Sequence, residues 1–334
     1  VYGVSLGNHA LTVLLAPGIA VFVLLVSPRI LWQQWRLVLA ATGALLLTTA
    51  RVDLYLRLRS AMDPALDSAR RGSGERWWCV VLGEQFTGSF RGLPPVGELL
   101  DGIWNELVLD LGVLAVMALA GVILGLVRHP RLTILGLLWF GAAWLWAVGY
   151  PNAAIERYYL VPLLVAALWV ALAADAVWDA LRDVLARSGH ALAYRLASAA
   201  LVATLLALAL VPVAERYEDL DASGDAWGRQ VLEATFEAVE EDAVIVSWWS
   251  FSTPLWYGQH VEGRRPDVTV IDDRDILDDG YGDVAGAVEA HLGQRPVYVV
   301  RLERDLAALQ RDYLLTPVPD VPMEMYRVVA EGTD

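Results

Sequence analysis

Two apolar runs, 132–148 and 160–173, flank a polar turn at 150–159, and this hairpin limits what the chain can become. A helix rises about 1.5 Å per residue, so some twenty apolar residues match the hydrocarbon thickness of a bilayer. Each run, with its flanks, approaches that length. Inside lipid only helices and closed barrels satisfy their own backbone. The turn carries Glu156 and Arg157 beside Tyr158 and Tyr159, and such groups at a helix end belong at the membrane–water boundary. The segment reads as a transmembrane hairpin with a small charged surface at its tip.

The same pattern recurs along 1–213, with spans expected at 9–27, 37–56, 107–127, 132–149, 160–178 and 196–213. The chain is 57% hydrophobic, with a mean hydropathy of +0.46, and the apolar residues lie in blocks, unlike those of an ordinary soluble protein. Pro17 and Gly18 fall inside the first span, which a membrane helix tolerates when neighbours satisfy the freed carbonyl. The second span is weaker. Its apolar part ends at Thr49, leaving Arg51 and Asp53 for the interface or for contact with protein. The outer loop 57–105 has no spanning run and carries an aromatic patch at Trp77 and Trp78; it reads as short helices lying on the membrane.

Composition changes after Pro212. In 214–334 short apolar strands at 243–246, 268–271 and 297–300 alternate with helical patterns at 227–239, 284–291 and 304–313. That alternation predicts a small α/β domain with a mainly parallel sheet. The expected fold class is therefore an α-helical polytopic membrane protein of about six transmembrane helices followed by a small α/β extracytoplasmic domain.

Six spans place the long connection, the 150–159 turn and the C-terminal domain on one side. The three short loops on the other side carry Arg29 and Arg36, then Arg128 and Arg131, then Arg182, Arg187 and Arg195. The positive-inside rule makes that side cytoplasmic and the protein an integral component of the plasma (inner) membrane. The formal charge is −14, which argues against a nucleic-acid partner, and all basic residues are arginine. Cys79 is the sole cysteine, so no disulfide forms within the chain and no cysteine-based metal site exists. The chain opens at Val1 with no cationic segment before the first apolar run; that run is not read as a signal peptide, and the chain is expected to be the C-terminal part of a longer membrane protein.

No P-loop, dinucleotide fingerprint, HExxH or GxSxG pattern is present. Asn8 and His9 stand at the outer mouth of the first span; they either cap and anchor that helix or hydrogen-bond a ligand headgroup. Glu156 and Arg157 are either a solvated loop tip or, with Tyr158, part of a site where an arginine fork holds a lipid-linked phosphate. Arg51, Arg57 and Arg59 fit an interfacial helix meeting anionic headgroups. Asp272, Asp273, Asp275, Asp278 and Asp279 follow a strand in a spacing unlike an EF-hand, so neither metal nor cofactor is assigned. The passage 247–252 precedes Thr253 and Pro254, read as a helix N-cap and first helical residue.

Three passages together resemble a bacterial membrane family of unknown-function domains related to protein O-mannosyltransferases. They are Gly3-Val4-Ser5-Leu6-Gly7-Asn8-His9, residues 150–162, and the most specific, 253–268, which reads TPLWYGQHVEGRRPDV. The resemblance reaches from residue 1 to about Asp273. It implies a GT-C type glycosyltransferase that moves a sugar, mannose or another hexose, from a polyprenyl-phosphate donor in the bilayer to a protein or glycan acceptor outside the cytoplasm. It also implies a catalytic carboxylate in a first outer loop, hence a general base upstream of Val1. Asn8, His9, Glu156, Arg157 and Tyr158, at one expected level, are the candidate substrate-binding residues, with Arg157 on the phosphate. The chain departs from the family where Trp249-Ser250-Phe251-Ser252 stands in place of an acidic run. The rival class is a non-enzymatic membrane anchor or assembly protein presenting the α/β domain.

Overall fold

The computed structural model describes residues 1–62, 64, 66, 92–150, 155–186 and 189–330. Trp77, Trp78, Cys79 and Arg187, and the side chains of Asp53 and Glu156, lie outside the described residues. The chain forms two compact units, and the main boundary between them falls between Glu218 and Asp219.

The first unit is helical. Its elements are α1 (Tyr2–Asn8), a 3-10 turn (Ala10–Leu15), α2 (Ala16–Val26), α3 (Ile30–Gln33), α4 (Trp35–Ser60), α5 (Val96–Leu111), α6 (Leu114–Arg128), α7 (Pro130–Gly149), a second 3-10 turn (Ile155–Tyr159), α8 (Leu160–Leu181) and α9 (Ala191–Glu215). Among the described residues, four helical stretches are long and apolar enough to cross a membrane: Trp35–Ser60, Pro130–Gly149, Arg157–Leu185 and Ala191–Glu215. The count rises to five if α5 and α6 are taken as one broken span. Outward-facing leucines such as Leu46, Leu47, Leu164 and Leu210 are exposed, as a lipid-facing surface requires.

Two of the six expected spans differ from that expectation. Residues 107–127 are not one straight helix, because α5 and α6 meet at 118°. Gly112 makes the corner with φ +55°, a left-handed backbone that glycine adopts without a Cβ penalty. Helix α5 has the two-sided character of an interfacial helix. Leu99, Ile103, Leu107 and Leu111 join the core, while Val96, Leu100, Trp104 and Val108 form an exposed apolar flank. The span expected at 9–27 starts as a 3-10 turn. Pro17 has no N–H to offer the Val13 carbonyl, and the Ala16 N–H takes that place one residue earlier. The apolar helix that results, Leu11–Val26, is too short to span by itself.

Helices α6, α7 and α8 form the packed centre. Without water to drive helices together inside lipid, close approach of small residues does so. Gly121 of α6 lies against the Trp169 backbone of α8, and Gly125 lies against the Thr133 side chain of α7. Ala115, Ala118, Trp144, Val165, Ala166 and Trp169 are buried around them.

Contacts fix which helix ends lie together. Trp144, near the C-terminus of α7, meets the Tyr159 ring at 4.7 Å in a tilted arrangement and approaches Gly102 of α5. The Arg216 guanidinium, at the C-terminus of α9, donates to the Leu109 carbonyl at 3.4 Å. The α5 helix, the Tyr159 turn and the end of α9 therefore share one end of the bundle.

The second unit contains α10 (Trp227–Ala238), β1 (Val244–Ser247), α11 (Trp249–His260), β2 (Thr269–Ile271), α12 (Asp273–Asp278), α13 (Val284–Glu289), β3 (Val297–Val300), α14 (Glu303–Leu309), β4 (Tyr313–Pro317) and β5 (Tyr326–Ala330). The sheet order is β2-β1-β3-β5-β4. Strands β2, β1 and β3 are parallel, and β5 and β4 continue antiparallel, so the sheet is mixed. The buried faces alternate: Ile245, Val270, Tyr298 and Val300 pack on one side, Val244, Val246, Val297 and Val299 on the other. Tyr313, placed by sequence at the end of a helix, begins β4 instead. The helix expected to start at Pro254, capped by Thr253, starts at Trp249. Thr253 is an internal residue whose hydroxyl donates to the Trp249 carbonyl at 2.7 Å.

Candidate functional site

A cleft of about 450 Å³ opens between the first 3-10 turn, α7 and the start of α8. Its walls are Leu11, Leu14, Leu15, Ala143, Leu160 and Val161, and its polar groups are His9, Thr12, Arg157 and Tyr158. Three of the five residues singled out from sequence, His9, Arg157 and Tyr158, thus line one cleft although the segments are far apart in the chain. Asn8 is the exposed last residue of α1 and lies outside the lining. Glu156 falls on the same 3-10 turn as Arg157 by its backbone. Arg51, Arg57 and Arg59 do not line it.

Each wall has a local cause. His9 breaks the helix with extended backbone, φ −151° and ψ 123°, and its Nδ1 accepts from the Leu11 N–H at 3.2 Å. The ring is therefore a helix cap, as one sequence reading expects. With Nδ1 accepting, the neutral ring carries its proton on Nε2 and keeps a donor free of the cap. The His9 carbonyl accepts from the Thr12 hydroxyl at 2.8 Å, and Tyr2 donates to the Thr12 carbonyl at 2.8 Å. Trp139 Nε1 donates to the Leu15 carbonyl at 3.1 Å and pins the turn to α7.

Across the cleft the aromatic rings hold the second turn. Tyr158 meets Tyr150 edge-on at 5.9 Å, and Tyr150 stacks on Trp146 at 5.8 Å. Arg157 projects from this support, exposed, with no counter-ion among the described residues. A cation at the mouth of an apolar cleft can receive an amphiphile: phosphate at the guanidinium, hydrocarbon along the leucines. Sequence reading missed the leucines of 11–15 as site residues because it took them for the lipid-facing part of a regular span. The available signal was Pro17, which disrupts that span near its start.

The second unit has its own polar cluster at the carboxyl ends of β1, β2 and β3, where ligands of open α/β sheets bind. Arg301, after β3, is buried and donates to the Ser247 carbonyl at 2.8 Å, to Asp273 at 2.7 Å and to Asp305 at 2.9 Å. It ties β1, α12 and α14 together and has little left for a ligand. The acidic run is spent on structure. Asp272 caps α12, accepting from the N–H groups of Arg274 and Asp275, and Asp275 reciprocates to the Asp272 N–H at 3.1 Å. Arg274 pairs with Asp278 at 2.8 Å. Burial pushes the Asp275 carboxyl up to about 6, and Asp272, Asp279 and Asp278 add to the rise. The Arg265 guanidinium holds Asp267 well below the usual carboxylate range. Among the described residues no group of His, Cys, Asp or Glu gathers as a metal cage.

No protein-family model matches this sequence, and no curated protein matches it significantly.

Proposed function

We propose that the membrane unit binds a polyprenyl-phosphate-linked sugar and that the protein is a membrane glycosyltransferase of the GT-C type, working at the extracytoplasmic boundary. The observation that carries this reading is the cleft in which Arg157, His9 and Tyr158 meet a leucine-lined slot. In the proposed reaction an acceptor hydroxyl on protein or glycan attacks the anomeric carbon, a carboxylate takes the hydroxyl proton, and the C–O bond to the lipid phosphate breaks. Arg157 receives the charge that develops on the departing phosphate. His9 donates from Nε2 to the same headgroup, and Tyr158 closes the wall. The general base is assigned to none of these residues.

The test is Arg157→Ala in the full-length protein, read by donor binding and sugar transfer. Loss of one charge-assisted contact weakens donor binding roughly 10- to 100-fold. Unchanged affinity and turnover remove Arg157 from the mechanism. Absence of any donor binding by the unaltered protein returns the chain to the class of membrane anchors.

A further inference from the structure

A second depression, separate from the cleft above, lies between α8 and α9 at the opposite end of the bundle. Its volume is about 520 Å³. At its polar end Arg195 is exposed and has no counter-ion among the described residues. One turn deeper is Ser198, only 6% exposed, whose hydroxyl has no hydrogen-bond partner among the described residues. Trp178 and Tyr194 meet edge-on at 6.1 Å and close one side. Beyond Ser198 the groove is wholly apolar, along Ala199, Val202 and Leu206.

We propose that this groove is a binding site for one anionic phospholipid of the surrounding bilayer. From Arg195 to Leu206 the helix rises about 16 Å, roughly half of a hydrocarbon core of about 30 Å. The groove therefore has the depth of a single leaflet. Its chemistry is ordered as a lipid is ordered: a cation for the phosphate, a buried hydroxyl for a glycerol ester, then hydrocarbon. An unpaired buried hydroxyl costs free energy unless something bonds it, and an ester carbonyl at that depth accepts its proton. Tryptophan and tyrosine at this level are the usual boundary of a lipid headgroup region.

Neighbouring charges set the preference. Asp179, one residue from Trp178, is engaged by Arg128 at 3.3 Å and leaves Arg195 unopposed. Asp175 lines the adjoining depression on the far side of Trp178 and Val202 and repels an anion shifted that way. A zwitterionic headgroup brings its own cation to Arg195 and gains less.

Native mass spectrometry of the detergent-purified full chain, with phosphatidylglycerol or phosphatidylcholine added at equal concentration, tests the site. The unaltered protein should retain phosphatidylglycerol preferentially. Arg195→Gln, at an exposed position, should reduce that retention about fivefold, the worth of one arginine at an anionic headgroup. Ser198→Leu should fill the groove and reduce retention of both lipids. Arg131→Gln, in the first turn of α7, should leave the preference intact. Equal retention of the two lipids by the unaltered protein, or unchanged phosphatidylglycerol retention in Arg195→Gln, overturns the proposal.

Discussion

Gly121 of α6 sits directly against the backbone carbonyl of Trp169 in α8, with no room for a Cβ between them. The two helices approach closely there, and the Trp169 ring is buried against Phe140 at 5.3 Å. Gly121→Val must part the helices or bend them. Overpacking of this kind costs about 1–3 kcal/mol, and here the obstacle is backbone, so the upper end is expected. A thermal melt in detergent should fall clearly. Gly141→Ala is the contrast: nothing lies within 4 Å of a Cβ there, and the helix should hold or gain slightly. Equal melting temperatures for Gly121→Val and the unaltered protein would show that this contact does not hold the bundle.

His9 has two separable duties. Its Nδ1 caps the first 3-10 turn, and its Nε2 is the donor proposed for the headgroup. Asparagine at position 9 can still accept from the Leu11 N–H but does not reach as far. His9→Asn should keep the melting temperature and weaken donor binding about fivefold, the worth of one ordinary hydrogen bond. Full donor affinity in a stable His9→Asn variant would leave the residue with the cap alone.

Arg301 joins three elements through the Ser247 carbonyl of β1, Asp273 of α12 and Asp305 of α14. Arg301→Met keeps the volume and removes the charge. It leaves Asp305, whose carboxyl the guanidinium meets at 2.9 Å, with only the exposed Arg304 at 3.4 Å, and leaves the Ser247 carbonyl buried without its donor. Breaking a buried pair this way costs about 3–5 kcal/mol. Faster amide hydrogen exchange in β1 and β3 is the expected sign, and unchanged protection there would refute the assignment.

Asp275 makes the stability of the second unit depend on pH. Its carboxyl titrates near 6 in the folded chain, above the ordinary aspartate value, so the folded state holds the proton more tightly than the unfolded state. This contribution is complete below the unfolded value and is lost as pH rises through about 6. Asp275→Asn keeps an acceptor for the Asp272 N–H and has no charge to bury. It should be more stable than the unaltered protein at pH 7.5 by about 1 kcal/mol, allowing for screening at a half-buried group, and equal to it near pH 4. A stability difference independent of pH would assign the effect to something other than titration.

Much of the bundle was legible in the sequence. Wherever an apolar run approached the bilayer length without interruption, as in α7, α8 and α9, a helix stands close to the expected bounds. The errors fall at residues whose effect is local. Gly112 turns an expected span into a corner because only glycine takes that backbone cheaply, and hydropathy does not register it. Tyr313 went from helix to strand because strand pairing with β5 outweighed a weak helical pattern.

Hydropathy and charge alone determined that the first two-thirds of this chain forms apolar helices and that the remainder forms an α/β layer. Transfer of apolar surface from water depends on composition and order, and both are written in the chain. Only the tertiary structure decided that His9 and Arg157 share a cleft, that the acidic run caps a helix, and that Arg195 stands above an orphan hydroxyl. Those outcomes follow from how closely glycines let helices approach and where each carbonyl finds its donor, and such distances are set by packing between segments remote in sequence.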